Sequence, residues 1–200
     1  MASVVLLVAS VAVTVRPGAW DHRPGGMMRP GVAISGAGAV ADLDEARAAA
    51  AVFADRWGLA VGEVMEFSNG FYAELVEPSG DLATEVLVDA RTGAVQIEYG
   101  PAMMWNTAYG MHSSRSESVS VTTAEAQVIA DQWLAEHRAG ERAGEPEAFP
   151  GYFTLHTLEG DDVVGMLSVR ASDGAVWFHA WHGDFIAMSE PDESSAPSDS

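Results

Sequence analysis

Residues 169–186, V-R-A-S-D-G-A-V-W-F-H-A-W-H-G-D-F-I, constrain the fold more than any other stretch of this chain. A strand enters a tight turn at Ala171-Ser172-Asp173-Gly174, and a second strand over residues 175–181 leaves it. Strand side chains alternate faces, so Trp177, His179 and Trp181 are expected on one side and Phe178, Ala180 and His182 on the other. A shorter-ranged copy lies upstream, V-D-A-R-T-G-A-V-Q-I-E-Y-G over residues 88–100. Both carry a Val, a turn and then Gly-Ala-Val. A chain that makes this hairpin twice is best built as two like units.

The spacing supports that reading. Gly70-Phe71-Tyr72 aligns with Gly151-Tyr152-Phe153, and Gly93-Ala94-Val95 with Gly174-Ala175-Val176, each at an offset of 81. Two helical segments align at an offset of 76, Ala54-Asp55-Arg56-Trp57 with Ala130-Asp131-Gln132-Trp133. A single insertion in the polar stretch 140–150 accounts for the difference. The first helix starts at Asp42, with Glu45 three residues on in a capping-box pattern. Its apolar stripe is Ala46, Ala49, Ala50, Phe53 and Trp57. The second starts at Thr122, with Glu125 three residues on and a stripe of Ala126, Ile129, Ala130, Trp133 and His137. Strands are expected at 63–68, 71–77, 82–89 and 94–99 after the first helix. Asn69-Gly70 is a strong hairpin signal between the first two of them. Strands at 152–158, 163–170 and 175–181 follow the second helix. A helix followed by an antiparallel meander is an α+β pattern. The expected fold is two tandem repeats, each one helix on three to four antiparallel strands, over residues 42–100 and 122–188.

The flanks read differently. Residues 2–15 are an unbroken small and apolar run, too short for the ~20 residues of a spanning helix but the length of a signal-peptide core. Residues 1–15 therefore read as a signal peptide or membrane anchor, one whose basic start would lie upstream of Met1. Residues 16–41 form a Gly- and Pro-rich linker that cannot bury enough apolar surface to order itself. Residues 189–200 form an acidic, Ser-rich tail of the same kind.

Charge and composition exclude whole classes. The formal net charge is −19, and all ten basic residues are Arg. Phosphate backbones reward dense Lys and Arg, so nucleic acid is not an expected partner. The acidity fits solubility, a salty habitat or a cationic partner. Cys is absent, which removes disulfides and thiolate metal sites.

No catalytic motif is present. H-E-x-x-H is missing, and so is G-x-S-x-G. The nearest metal pattern is His179-Ala180-Trp181-His182, but on a strand these imidazoles point to opposite faces and cannot share an ion unless the strand bends at Gly183. Ser172, Asp173, His179, His182 and Asp184 are close in sequence, yet a triad is defined by geometry, and no enzymatic activity is expected from spacing alone. Residues 101–121 connect the two units. This connector carries Met103, Met104, Met111 and His112, and thioether with imidazole suits copper. The competing reading has Met and Trp of this loop covering a sheet edge.

The segment Val88-Asp89-Ala90-Arg91-Thr92-Gly93-Ala94-Val95, following a helix, resembles the PepSY domain. The second copy is looser, with Arg170 where the first has Asp89 and Asp173 where it has Thr92. G-Y-F-T-L-H and V-W-F-H-A-W-H-G-D-F-I resemble exported bacterial proteins with paired PepSY-like repeats. The resemblance implies a non-catalytic module outside the cytoplasm, secreted or membrane-anchored, that binds a protein partner, an envelope protein or a peptidase whose activity it modulates. It implies no cofactor and no catalytic residue. The residues expected to meet that partner are Trp177, His179, Trp181 and His182. The rival expectation is an extracytoplasmic copper protein using Met103, Met104, Met111 and His112.

Overall fold

The computed structural model describes residues 36, 38–111 and 119–189. The apolar run 1–15, nearly all of the linker, His112 and the tail beyond Ser189 lie outside them. The fold is α+β with antiparallel sheets. Among the described residues no helix is long and apolar enough to cross a membrane.

The first helix, α1 (Leu43–Ala54), begins where the side chain of Asp42 accepts from the Glu45 backbone N–H, while Glu45 accepts from that of Ala41. It ends in a turn of 3-10 helix carrying Trp57. Strands β1 (Ala60–Phe67), β2 (Gly70–Val76), β3 (Leu82–Val88) and β4 (Val95–Ile97) then form an antiparallel meander. A short helix, α2 (Pro101–Met104), follows. The long helix α3 (Thr123–His137) starts with a full capping box between Thr122 and Glu125. After it come β5 (Glu141–Ala143), β6 (Glu147–Phe149), β7 (Tyr152–Glu159), β8 (Asp162–Arg170) and β9 (Val176–Phe178), which make the second sheet. The last strand, β10 (Phe185–Ser189), returns to the first sheet and pairs antiparallel with β1.

Four layers result. α1 covers the outer face of the first sheet, burying Ala46, Ala50 and Phe53 against Val64, Phe71, Leu75, Val86 and Val95. α3 covers the outer face of the second, burying Ala126, Ala130 and Leu134 against Phe153, Leu155, Leu167 and Val169. Each fully buried Leu, Val or Phe contributes roughly 1.5–3 kcal/mol. The inner faces of the two sheets pack on each other, through Met65, Phe67, Tyr72 and Met166 at one end and Ala102, Phe149 and Tyr152 at the other.

Three sequence expectations need correction. The polar stretch 140–150 is not a simple insertion, because β5 and β6 within it both pair with β7. Residues 185–188 belong with the first sheet rather than with the unit over 122–188. In α3 the apolar stripe runs through Leu134, whereas His137 is exposed and stacks on Trp133. The two hairpin turns nevertheless share one geometry. Asp89 N–H donates to Ala94 O and Gly93 N–H to Asp89 O; Arg170 N–H donates to Ala175 O and Gly174 N–H to Arg170 O. Gly93 and Gly174 sit at φ of 65° and 75°, which L side chains resist.

Candidate functional site

Strand alternation decides what lies between the sheets. On β2, Phe71, Ala73 and Leu75 face α1, so Tyr72 and Glu74 face inward. On β7, Phe153 and Leu155 face α3, so Tyr152, Thr154 and His156 face inward; on β8, Ser168 does the same. In a single helix-covered sheet these polar residues would be solvated. Here a second sheet lies on them.

They bond to one another across the gap. Glu85 on β3 accepts from the hydroxyls of Tyr72 at 2.9 Å, Tyr152 at 2.6 Å and Thr154 at 2.8 Å. Thr154 Oγ1 lies 2.9 Å from Ser168 Oγ, and Ser168 Oγ lies 2.9 Å from His179 Nε2. His156 reaches Glu63 at 3.1 Å. Burial and the neighbouring Glu98 push the Glu85 carboxyl up to about 7, against the pull of His179 and of the Tyr152 and Thr154 hydroxyls. Burial, then the charge and hydrogen bond of Glu147, push Glu74 up to about 10. The Glu74–Glu147 pair therefore holds a proton at neutral pH.

The chain after β9 builds the other end of this layer. The strand stops at Phe178, which turns outward to stack on Trp133 at 5.9 Å, with Arg138 over its ring. A tight turn follows, in which His182 N–H donates to His179 O. Asn69 pins it from the β1–β2 hairpin, donating to Trp181 O and accepting from Gly183 N–H. His179 and His182 thus converge on one carboxylate. Glu98 Oε1 is 2.8 Å from His182 Nε2, 3.1 Å from Trp181 Nε1 and 3.4 Å from His179 Nδ1. The expectation of opposite faces fails because the strand does not extend to 181. Burial alone would raise Glu98, but the adjoining His179 and His182 imidazoles outweigh it and hold the carboxyl at about 2. Burial opposes a charge on His179, yet Glu98, and then Glu85, move its pKa upward.

The four residues expected to meet a partner divide. Trp177 is 39% exposed and Trp181 is half-buried, while the His182 side chain is only 5% exposed. His179 is only 2% exposed and cannot touch a partner, which corrects that expectation. Trp177 packs edge-on against Trp105 and Trp181. Gly100, at φ of 71°, lets the chain pass beneath these rings, where a Cβ would sit 2.9 Å from Trp181 Cη2. Beside them Tyr99 is 47% and Met104 40% exposed. A cleft of about 330 Å³ opens next to this surface, lined in part by Asn69, Asp89, Gln96, Tyr99, Trp181 and His182.

The connector is folded through Met111. Asn106 Nδ2 donates to Ala83 O, its Oδ1 accepts from Ala108 and Tyr109 N–H, and Met111 N–H donates to Met103 O. Met103 is half-buried; Met104 and Met111 are exposed. Sequence reasoning missed Glu98 and Glu85. Glu98 sits in the first hairpin copy opposite His179 in the second, and the 81-residue offset itself was the signal that could have paired them.

No protein-family model matches the chain, and no curated protein does. Among solved structures, the Bacillus megaterium YpeB C-terminal domain is distantly similar, at 14% identity and a TM-score of 0.26 over 70% of this chain. This chain spans 62% of that chain's length. A likeness this distant says nothing about what the chain does.

Proposed function

We propose that this protein is a non-catalytic binding module of the bacterial cell envelope, built from two PepSY-like units and regulating a protein partner, with a peptidase as the first partner to test. The observation that carries the reading is the aromatic surface of Trp177, Tyr99 and Met104 beside the cleft. These side chains are exposed on a backbone fixed by two sheets, and Trp and Tyr are common binding hot spots. The net charge of −19 favours a partner bearing Lys and Arg. The two turns of like geometry at Gly93 and Gly174 support duplication of one unit.

The test is inhibition of a thermolysin-like peptidase by the purified chain. Trp177→Ala and Tyr99→Ala are expected to weaken binding by at least about 30-fold each, the equivalent of about 2 kcal/mol. An unchanged peptidase rate with the wild-type protein overturns the peptidase assignment. Hydrolysis of peptides by the pure protein overturns the non-catalytic reading.

A second reading rests on the connector, where the bond between Met111 and Met103 sets two Met-bearing segments side by side. It is extracytoplasmic copper binding by Met103, Met104, Met111 and His112. Stoichiometric Cu(I) binding against a competing chelator, lost on Met103→Leu with Met104→Leu, is its signature.

A further inference from the structure

We propose that Glu98, His179 and His182 form a site for one divalent transition-metal ion of the zinc class, reached through the cleft that His182 lines. The donor set is two imidazoles and one carboxylate, which with an open fourth position suits zinc and similar ions. One ligand atom from each residue lies within 4.8 Å of the others. Zinc bonds of about 2.0–2.1 Å at tetrahedral angles place donor atoms on the order of 3.3 Å apart. Glu98 Oε1 already stands 2.8 Å and 3.4 Å from the two imidazole nitrogens.

Proton bookkeeping points the same way. Thr154 has one hydroxyl proton, and it goes to Glu85. The Thr154–Ser168 contact must then be donated by Ser168, so Ser168 accepts from His179 Nε2–H. A neutral His179 therefore has its lone pair on Nδ1, toward Glu98 Oε1. Two acceptors then face each other, a conflict that either a second proton on His179 or a cation between them resolves. Among the described residues neither His179 Nδ1 nor Glu98 Oε2 has a hydrogen-bond partner, although both are buried. Ligating imidazoles characteristically donate their second N–H to a fixed acceptor, and Ser168 supplies one here. The Asn69 bonds that pin the turn hold His179 and His182 at this spacing. Entry is short, because His182 and Trp181 form part of the cleft wall.

The test titrates chelator-stripped full chain with ZnCl2 by calorimetry and with Co(II) by visible absorption. One equivalent is expected to bind, with Co(II) d–d bands of nitrogen and oxygen ligation and a rise in Tm on zinc addition. Glu98→Gln and His182→Gln should each weaken Zn(II) binding at least tenfold and abolish the Tm rise. Met103→Leu with Met104→Leu should leave both unchanged. Because the glutamine amide can still donate to Glu98, the His182 variant is expected to keep the far-ultraviolet circular dichroism of the wild type. Absence of saturable Zn(II) binding by the wild type overturns the proposal, and so does equal binding in the Glu98→Gln and His182→Gln variants. Neither result bears on partner binding at Trp177.

Discussion

The outer layers and the inner layer of this protein are built by opposite rules. Between each helix and its sheet the buried apolar contacts are Ala, Leu, Val and Phe. Between the two sheets lie Glu63, Glu74, Glu85, Glu98, His156 and His179, joined by Tyr, Thr and Ser hydroxyls. An apolar layer is non-directional and tolerates repacking. A buried polar layer is stable only when its donors and acceptors match, so it fixes one docking of the sheets. The difference teaches that the outer layers supply stability and the inner layer supplies register and titration.

The largest expected effect tests the outer layer. Phe53 is buried and stacks on Trp57 at 6.4 Å. Phe53→Ala should cost about 3–5 kcal/mol in urea unfolding. That loss should have the same size at pH 5 and pH 8, since Phe53 packs in an apolar cluster and stacks on Trp57. A loss that changes with pH would break the contrast between the layers.

Next comes the pH dependence of the inner layer. Glu74 rises from an ordinary value of 4.5 to about 10 in the folded chain, chiefly by burial and then by Glu147. A raised folded pKa means the native state binds the proton more tightly. The stability it contributes is fully present below 4.5 and is lost as pH climbs toward 10. Glu85, raised to about 7, gives up its proton over the same range, so the wild-type unfolding free energy should fall by about 4–7 kcal/mol between pH 5 and pH 8, of which Glu74 accounts for about 2–4 kcal/mol at ~1.4 kcal/mol per unit for one proton. Glu74→Gln, neutral at every pH, should remove its share of the slope and leave the share of Glu85. A wild-type stability that rises over this range would contradict the protonated Glu74.

Much of the outer construction was legible in the sequence. Asp42 and Thr122 cap the helices as their spacing to Glu45 and Glu125 suggested, and Asn69-Gly70 turns between β1 and β2. These signals are local, carried by residues within a few positions of one another. The inner layer was not legible for a physical reason. Alternation gives the period of a strand, not which face is wet, so Tyr72, Glu74 and Glu85 read as a solvent face. The pairing of Phe185–Ser189 with β1 spans more than a hundred residues and leaves no local trace. The convergence of His179 and His182 depended on the strand ending at Phe178, short of the end at residue 181 that alternation implied.

A smaller effect sharpens the role of the hydroxyl ladder. Tyr152→Phe removes one donor to Glu85 while keeping the ring that stacks on Phe149 at 5.1 Å. Hydrogen bonds to a charged partner contribute about 1.5–3 kcal/mol, which is the expected loss at pH 8. Losing a donor also raises the Glu85 carboxyl further above about 7. The loss should therefore shrink at pH 5, where Glu85 is protonated in both proteins. Equal losses at both pH values would show that the Tyr152 hydroxyl contributes independently of the charge on Glu85.

The smallest stability effect belongs to the surface that joins the two layers' edges. Trp177 is on β9, a strand whose neighbour Phe178 serves the outer layer and whose own ring looks the other way. It keeps 39% of its area in solvent and touches Trp105 and Trp181 edge-on. Each such aromatic pair is worth about 0.5–1.5 kcal/mol, and exposure reduces what remains, so Trp177→Ala should cost only about 1 kcal/mol. A fully buried Trp would cost about 3–5 kcal/mol. Thermal unfolding followed by far-ultraviolet circular dichroism checks the figure, at pH 5 and pH 8 alike. A small stability loss together with a large loss of partner binding marks Trp177 as a residue kept for contact. A loss above about 3 kcal/mol would instead make it part of the packing between the sheets, and the exposed aromatic surface would no longer stand apart from the interior.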